Sequence, residues 1–348
     1  MKKTRRGMTL AVGGLMLLGL LAGCGPKKPV LHIYTWSDYV KPGLVKEFAA
    51  AHGCRVVIDT YDSNEAMYAK LKAGARGYDL LFPSSYMVKI MQDQGMLQPL
   101  RHELLPNLNN LDPDYLAMAV DKELAYSVPY TTTITCLGYL GSRVEDVEAS
   151  WAMLDRADLK GRMTMLNDYR ETIGAALKFL GYSLNTLDDG ELAEAKEVIL
   201  RWKRNIAKFE NEQYKTGLAS GEFLLTHGYS GDLMLVQEEN EDIEIVVPRE
   251  GSVLSFDDMV IPATAQQVEL AHQFINFILD PRVAAEMTEF IYYLCPNQPS
   301  YELLDEEIRT DPILFPPQEV IAKLEMIHDL AEGNQKYTRL WDEIKGSE

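Results

Sequence analysis

Three short segments set large aromatic side chains beside carboxylates: Trp36-Ser37-Asp38-Tyr39, Asn167-Asp168-Tyr169-Arg170-Glu171 and Gly228-Tyr229-Ser230-Gly231-Asp232. That pairing suits an organic cation. The face of a Trp or Tyr ring attracts an ammonium through its quadrupole, by roughly 0.5–2 kcal/mol depending on desolvation, and a carboxylate accepts its N–H groups in charge-assisted hydrogen bonds. Each segment also has a plainer reading. Trp36 and Tyr39 suit a tight turn that covers the core. Asp168 and Glu171, three residues apart, fit a capping box, and Asp232 fits a cap for a following helix.

Other chemistries find less support. His227 and Ser230 are close in sequence, and Gly228-Tyr229-Ser230 begins like the nucleophile elbow of a hydrolase. The elbow requires Gly-x-Ser-x-Gly, however, and here Gly231 comes one position early and Asp232 takes the last. A secreted hydrolase using His227 and Ser230 therefore stands as the alternative from a different class. The six histidines form no metal-binding helix pattern, so no metal and no cofactor is expected. No glycine-rich phosphate loop occurs. The chain carries a net charge of −18 over 348 residues, with no cluster of Lys and Arg after the N-terminus, which argues against nucleic acid. A negative field draws cations instead.

The elements that must position these segments read as an α/β protein. Val30 to Tyr34 reads as a buried strand, followed by the Trp36 segment and a helix from Pro42 to His52 that Gly53 stops. A strand at Arg55–Thr60, a helix over 64–73 capped by Ser63 and a strand over 78–82 continue the alternation of parallel-sheet units. Pro83-Ser84-Ser85-Tyr86 then follows a strand as Trp36 does, so both loops are expected on one rim, where open α/β sheets bind ligands. Ser84 equally suits the N-cap of a helix over 87–94. A β-prone run over 131–139 reads as a crossing into a second α/β series. That series comprises a strand over 162–166, helices over 171–180 and 191–203, and strands near 206–209, 224–227 and 243–247. Ser255 to Pro262 reads as a second crossing, and two crossings imply a hinge. Helices then resume to the C-terminus.

The first six residues are basic and precede an apolar run from Leu10 to Leu21, too short for a comfortable membrane span. This is a secretion signal. Its Leu21-Ala22-Gly23-Cys24 ending resembles a bacterial lipobox, which makes residues 1–23 a signal peptide, Cys24 the acylated residue and 24–29 a tether. The expected location is extracytoplasmic, held to the membrane by lipid alone. Residues 1–23 carry four basic and no acidic groups, so the mature chain is near −22. Cys54, Cys136 and Cys295 remain, permitting one disulfide at most; buried thiols are the default.

Four stretches carry a family resemblance: Trp36-Ser37-Asp38-Tyr39; Tyr61 through Leu71; Tyr78-Asp79-Leu80 with Pro83-Ser84; and Asp257 before Ile261-Pro262. The chain resembles the spermidine/putrescine-binding proteins of bacterial ABC transporters, most densely over residues 30–100. The resemblance implies a two-lobed periplasmic-binding-protein fold of type II with two crossover strands at the hinge. Its lobes would be 30–131 plus 256–305 and 132–255 plus 306–348. It implies a monomer that captures a polyamine between the lobes and delivers it to a permease, with no reaction. The aromatic box would comprise Trp36, Tyr39, Tyr86, Tyr229 and Tyr293, and the amine-binding acids Asp38, Asp168, Glu171, Asp232 and Asp257, with polar contacts from Ser37 and Ser84. Three positions depart from the family pattern. Ser255 stands where an aromatic is usual, Tyr229 replaces a Trp, and Ile327 falls where some members contact the longer polyamine through a glutamine. Putrescine, spermidine and another organic cation therefore stay open as ligands.

Overall fold

The computed structural model describes residues 28–347, so the signal segment and the Cys24 lipidation expectation lie outside the described residues. Nine strands are described: β1 (Val30–Thr35), β2 (Arg55–Thr60), β3 (Leu80–Leu81), β4 (Ser127–Leu140), β5 (Met163–Met165), β6 (Ile206–Phe209), β7 (Leu225–Tyr229), β8 (Ile243–Val246) and β9 (Leu254–Val260). Helices α1 (Pro42–Ala51), α2 (Asn64–Lys72) and α3 (Ser85–Asp93) follow the first three strands, and α4 (Pro113–Met118) precedes β4. The second series holds α5 (Tyr169–Leu180), α6 (Asp189–Lys203), α7 (Gln213–Ser220) and α8 (Ser230–Glu239). After β9 come α9 (Val268–Ile278), α10 (Pro281–Ile291), the short α11 (Glu306–Arg309) and α12 (Gln318–Ile321), and α13 (Asn334–Gly346).

The strands join in the order β2-β1-β3-β9-β4-β7-β5-β6, with β8 also on β4. β1 runs parallel to β2 and β3, and β5 parallel to β6 and β7, whereas β9 and β4 are antiparallel to their neighbours. The long β4 is the link between the halves. It pairs with β9 from Ser127 to Ile134 and with β7 from Thr135 to Tyr139. A chain that must serve two sheets needs such a strand, and the β-branched run Thr131-Thr132-Thr133-Ile134-Thr135 supplies it. Each half buries its own core: Phe48, Phe82 and Phe274 on one side, Trp151, Trp202 and Tyr337 on the other.

Local signals act as expected at most element ends. The Ser63 hydroxyl accepts the Ala66 N–H, Pro42 opens α1 with Leu44 and Phe48 buried, and Gly181 ends α5 at φ 82°. Two helices, α4 and α7, were not foreseen. β3 is only two residues long, although Asp79 before it still donates its N–H to the His32 carbonyl at 2.8 Å and Tyr78 stacks on Tyr34 with ring centroids 4.4 Å apart. Cys54, Cys136 and Cys295 are all buried free thiols. Among the described residues, no helix is long and apolar enough to cross a membrane.

Candidate functional site

A cavity of about 870 Å³, its open mouth included, lies between the two halves of the sheet. On the first side, Trp36 follows β1 and donates its Nε1–H to the Phe82 carbonyl at 2.9 Å, which sets its indole edge-on to Tyr61 at 4.5 Å. Asp257 comes from β9. Its two oxygens accept the Ser84 hydroxyl at 2.6 Å and the Tyr39 hydroxyl at 2.7 Å. Asn64 clamps Ser84 in turn: its amide donates to the Ser84 hydroxyl, and its side-chain oxygen accepts the Ser84 N–H. Ser84 thus stands at the N-cap position of α3 without capping it, since its hydroxyl is committed to Asp257. Burial pushes the Asp257 carboxyl up to about 6, while the Ser84 and Tyr39 hydroxyls pull it back.

On the second side, Asp168 does cap α5, accepting the N–H groups of Arg170 and Glu171 at 2.8 and 3.1 Å. The reciprocal half of a capping box is missing. Glu171, 4 % exposed, instead accepts the Thr135 hydroxyl at 2.6 Å from β4. Burial first, and then the neighbouring Asp168 charge, push the Glu171 carboxyl up to about 8. Arg170 between them turns away. Its guanidinium donates to the His328 carbonyl and Asn185 and lies 4.6 Å from the Tyr337 ring centroid, anchoring the C-terminal segment. Asp232, in the first turn of α8, makes no cap either and accepts the Tyr214 hydroxyl at 2.5 Å.

Of the residues expected at the site, Trp36, Ser37, Tyr39, Ser84, Tyr86, Asp168, Glu171, Tyr229, Asp232, Asp257 and Tyr293 all line this one cavity. Asp38 does not. It is exposed in the turn after β1, where its backbone takes φ 54°, and it is not among the residues that line the cavity. Tyr86 donates its hydroxyl to Glu65 at 3.1 Å. Tyr293 packs at the end of α10 beside Gly231, where an added Cβ would lie 2.7 Å from the Tyr293 ring and 2.8 Å from the carbonyls of Ile291 and Tyr292. Glycine there sets the position of the ring.

The departures are also in the cavity. Ser255 and Ile327 both line it. Phe256 cannot replace the missing aromatic wall: successive β9 residues face opposite sides, and Phe256 is 1 % exposed in the core of the second half. Lys215 was not foreseen as a lining residue. It sits on α7, 3.6 Å from Asp232 and 3.2 Å from Glu212. The signal for α7 was present in Tyr214 and Leu218 four residues apart with Gly221 after them, a short amphipathic helix and its C-terminal glycine.

The alternative catalytic pair is not assembled. The Ser230 hydroxyl lies 3.0 Å from the Thr133 hydroxyl and accepts the Ile134 N–H at 3.2 Å. Neither ring nitrogen of the fully buried His227 has a hydrogen-bond partner, and its imidazole lies edge-on to Trp151.

Residues 43–316 match the family model described as bacterial extracellular solute-binding protein. The chain is 35 % identical over 347 residues to the spermidine/putrescine-binding periplasmic protein of Escherichia coli, covering 99 % of each. It is 35 % identical to the putrescine/cadaverine-binding protein of Pseudomonas aeruginosa, over 95 % of this chain and 98 % of that one. Among solved structures, the spermidine/putrescine ABC transporter substrate-binding protein PotD from Streptococcus pneumoniae superposes with a TM-score of 0.81 at 33 % identity, covering 91 % of this chain and 99 % of that one.

Proposed function

Because the chain belongs to the bacterial extracellular solute-binding protein family, we propose that it captures a polyamine between its lobes and delivers it to an ABC permease as a monomer, without catalysing a reaction. One observation carries this reading. Asp257 from the first lobe and Glu171 from the second line the same cavity, each held by hydroxyls and neither within 4 Å of a Lys, Arg or His nitrogen among the described residues. Desolvated acids without a counter-ion are costly, and a ligand with ammonium groups at both ends supplies what both lack. Trp36, Tyr39, Tyr86, Tyr229 and Tyr293 line the same cavity and supply apolar ring surface for the methylene chain between them.

Lobe closure follows from the same contacts. A ligand that touches both lobes binds the closed arrangement better than the open one and shifts the population toward it. We place the hinge at β4 and β9, and the lobes at 30–131 plus 256–305 and 132–255 plus 306–348. The protein acts outside the cytoplasm, and we propose that lipid on Cys24 holds it there, on the strength of Leu21-Ala22-Gly23-Cys24. Labelled palmitate is expected in the wild type and not in Cys24→Ser; equal labelling would defeat the anchor.

Calorimetry against putrescine, spermidine, spermine, choline and basic amino acids tests the ligand class. At least one polyamine is expected to bind in the micromolar range or tighter, and binding of no amine below millimolar would defeat the proposal. A second reading, another organic cation, draws on Ser255 and the outward burial of Phe256, which leave one wall without an aromatic. Tighter binding of choline than of any polyamine would favour it.

A further inference from the structure

The inward carboxylates of the cavity are not equivalent. Asp168, Glu171 and Asp257 face it with no basic side chain within 4 Å among the described residues. Asp168 is nonetheless partly neutralised, since it accepts two N–H groups at the positive end of α5. Asp232 differs from all three, because a protein ammonium already sits against it. Lys215 approaches Asp232 at 3.6 Å and Glu212 at 3.2 Å, and its side chain is only 21 % exposed. Tyr214, the residue before it, donates its hydroxyl to the same Asp232 carboxylate at 2.5 Å.

We infer that Lys215 is a built-in ammonium that occupies the Asp232 end of the cavity and makes the site select a diamine over a triamine. This rests on the polyamine reading and specifies it. Asp168 is taken up by the N-terminus of α5, and Glu171 and Asp257, held only by hydroxyls, remain to be matched by two ligand ammonium groups. A third ammonium extending to the Asp232 end meets Lys215, a like charge in a partly water-excluded space, and like-charge juxtaposition is the usual means of rejecting a near-relative of the ligand. Burial opposes the lysine's charge, but Asp232 and Glu212 outweigh it and hold the ammonium above its ordinary pKa. It therefore stays charged over the working pH range. Ile327, also lining the cavity, offers no acceptor that could compensate the third ammonium.

The test is calorimetry of putrescine and spermidine on the wild type, Lys215→Gln and Lys215→Met, with folding checked by thermal melting. The wild type is expected to bind putrescine at least about tenfold tighter than spermidine. Both variants are expected to move that ratio toward spermidine by at least about fivefold, because Asp232 is then free to take the third ammonium. A lysine that only ties α7 to α8 would change both affinities alike and leave the ratio fixed; that result overturns the inference while the polyamine reading stands. Tighter binding of spermidine by the wild type overturns it as well, whether or not the variants fold. Binding of neither amine by the wild type defeats the polyamine reading, and this inference with it.

Discussion

Asp257 and Glu171 are acids held in the cavity by neutral hydroxyls, and burial with the Asp168 charge pushes the Glu171 carboxyl up to about 8, which favours its protonated form at neutral pH when no amine is bound. A ligand ammonium reverses this by favouring the carboxylate. Amine binding at pH 7 is thus expected to release protons, up to about one per site, and to tighten as pH rises from 6 to 8, since aliphatic ammonium groups stay charged to about pH 10. Calorimetry in buffers of different ionisation enthalpy reads the release directly. Glu171→Gln should abolish most of it and weaken binding at least about tenfold, because an ammonium loses its charged partner. Proton release that survives in Glu171→Gln would move the titrating group elsewhere. Asp38 supplies the contrast. Its carboxylate is exposed and outside the cavity, so Asp38→Asn, which tolerates φ 54° as aspartate does, should leave amine affinity within about twofold. A tenfold loss would mean that Asp38 reaches the ligand after all.

Among the elements, α8 of the second side meets the end of α10 of the first at Gly231. Gly231 admits the carbonyls of Ile291 and Tyr292 to within 2.8 Å of where a Cβ would stand, and Tyr292 turns the chain at φ 53° so that Tyr293 faces the cavity. Backbone atoms cannot swing aside as a flexible side chain can. Gly231→Ala should therefore push α10 and Tyr293 outward, costing about 1–3 kcal/mol of stability and weakening amine binding. Denaturant midpoints and calorimetry on the same preparation check both effects. Unchanged binding with lost stability would remove Tyr293 from the ligand contacts and leave it a packing role.

For the whole molecule, the concentration of desolvated acids at the hinge links ligand, pH and stability. Burial raises the Asp257, Asp258 and Glu171 carboxyls to about 6, 7 and 8, above their ordinary values of 3.8, 3.8 and 4.5. Between roughly pH 4.5 and 8 the folded protein thus holds more protons than the unfolded chain. Stability is fully present below the unfolded values and is lost as pH rises through the folded ones, at up to about 1.4 kcal/mol per pH unit for each group. The melting temperature of the ligand-free protein is expected to fall from pH 5 to pH 8. The stabilisation by a saturating polyamine should be larger at pH 8 than at pH 5, because the ammonium groups then neutralise ionised acids. A ligand-induced shift that shrinks as pH rises would contradict the assignment of the acids to the amine.

The sequence by itself determined what depends on near neighbours. Alternation of strand and helix, the Ser63 cap, the Gly181 stop and the run of β-branched residues that became β4 were all legible, because periods of 2 and 3.6 and the chemistry of caps operate over a few residues. The loops of Trp36, Ser84, Asp168 and Asp232 stood out by their place after strands, whereas Tyr86 in α3, Asp257 within β9 and Tyr293 after α10 came only with the family resemblance. Tertiary structure alone decided their partners. Ser84 and Asp168 look alike as helix caps, yet Ser84 gives its hydroxyl to Asp257, 173 positions away, because β9 runs between β3 and β4. Phe256 is excluded from the cavity by its parity on β9, Asp38 stands exposed in the turn after β1, and Lys215 enters on α7, whose local pattern marks a helix but not what that helix faces. Whether an acid meets a hydroxyl, a lysine or open space depends on strand order across the whole chain, and no local period carries that information.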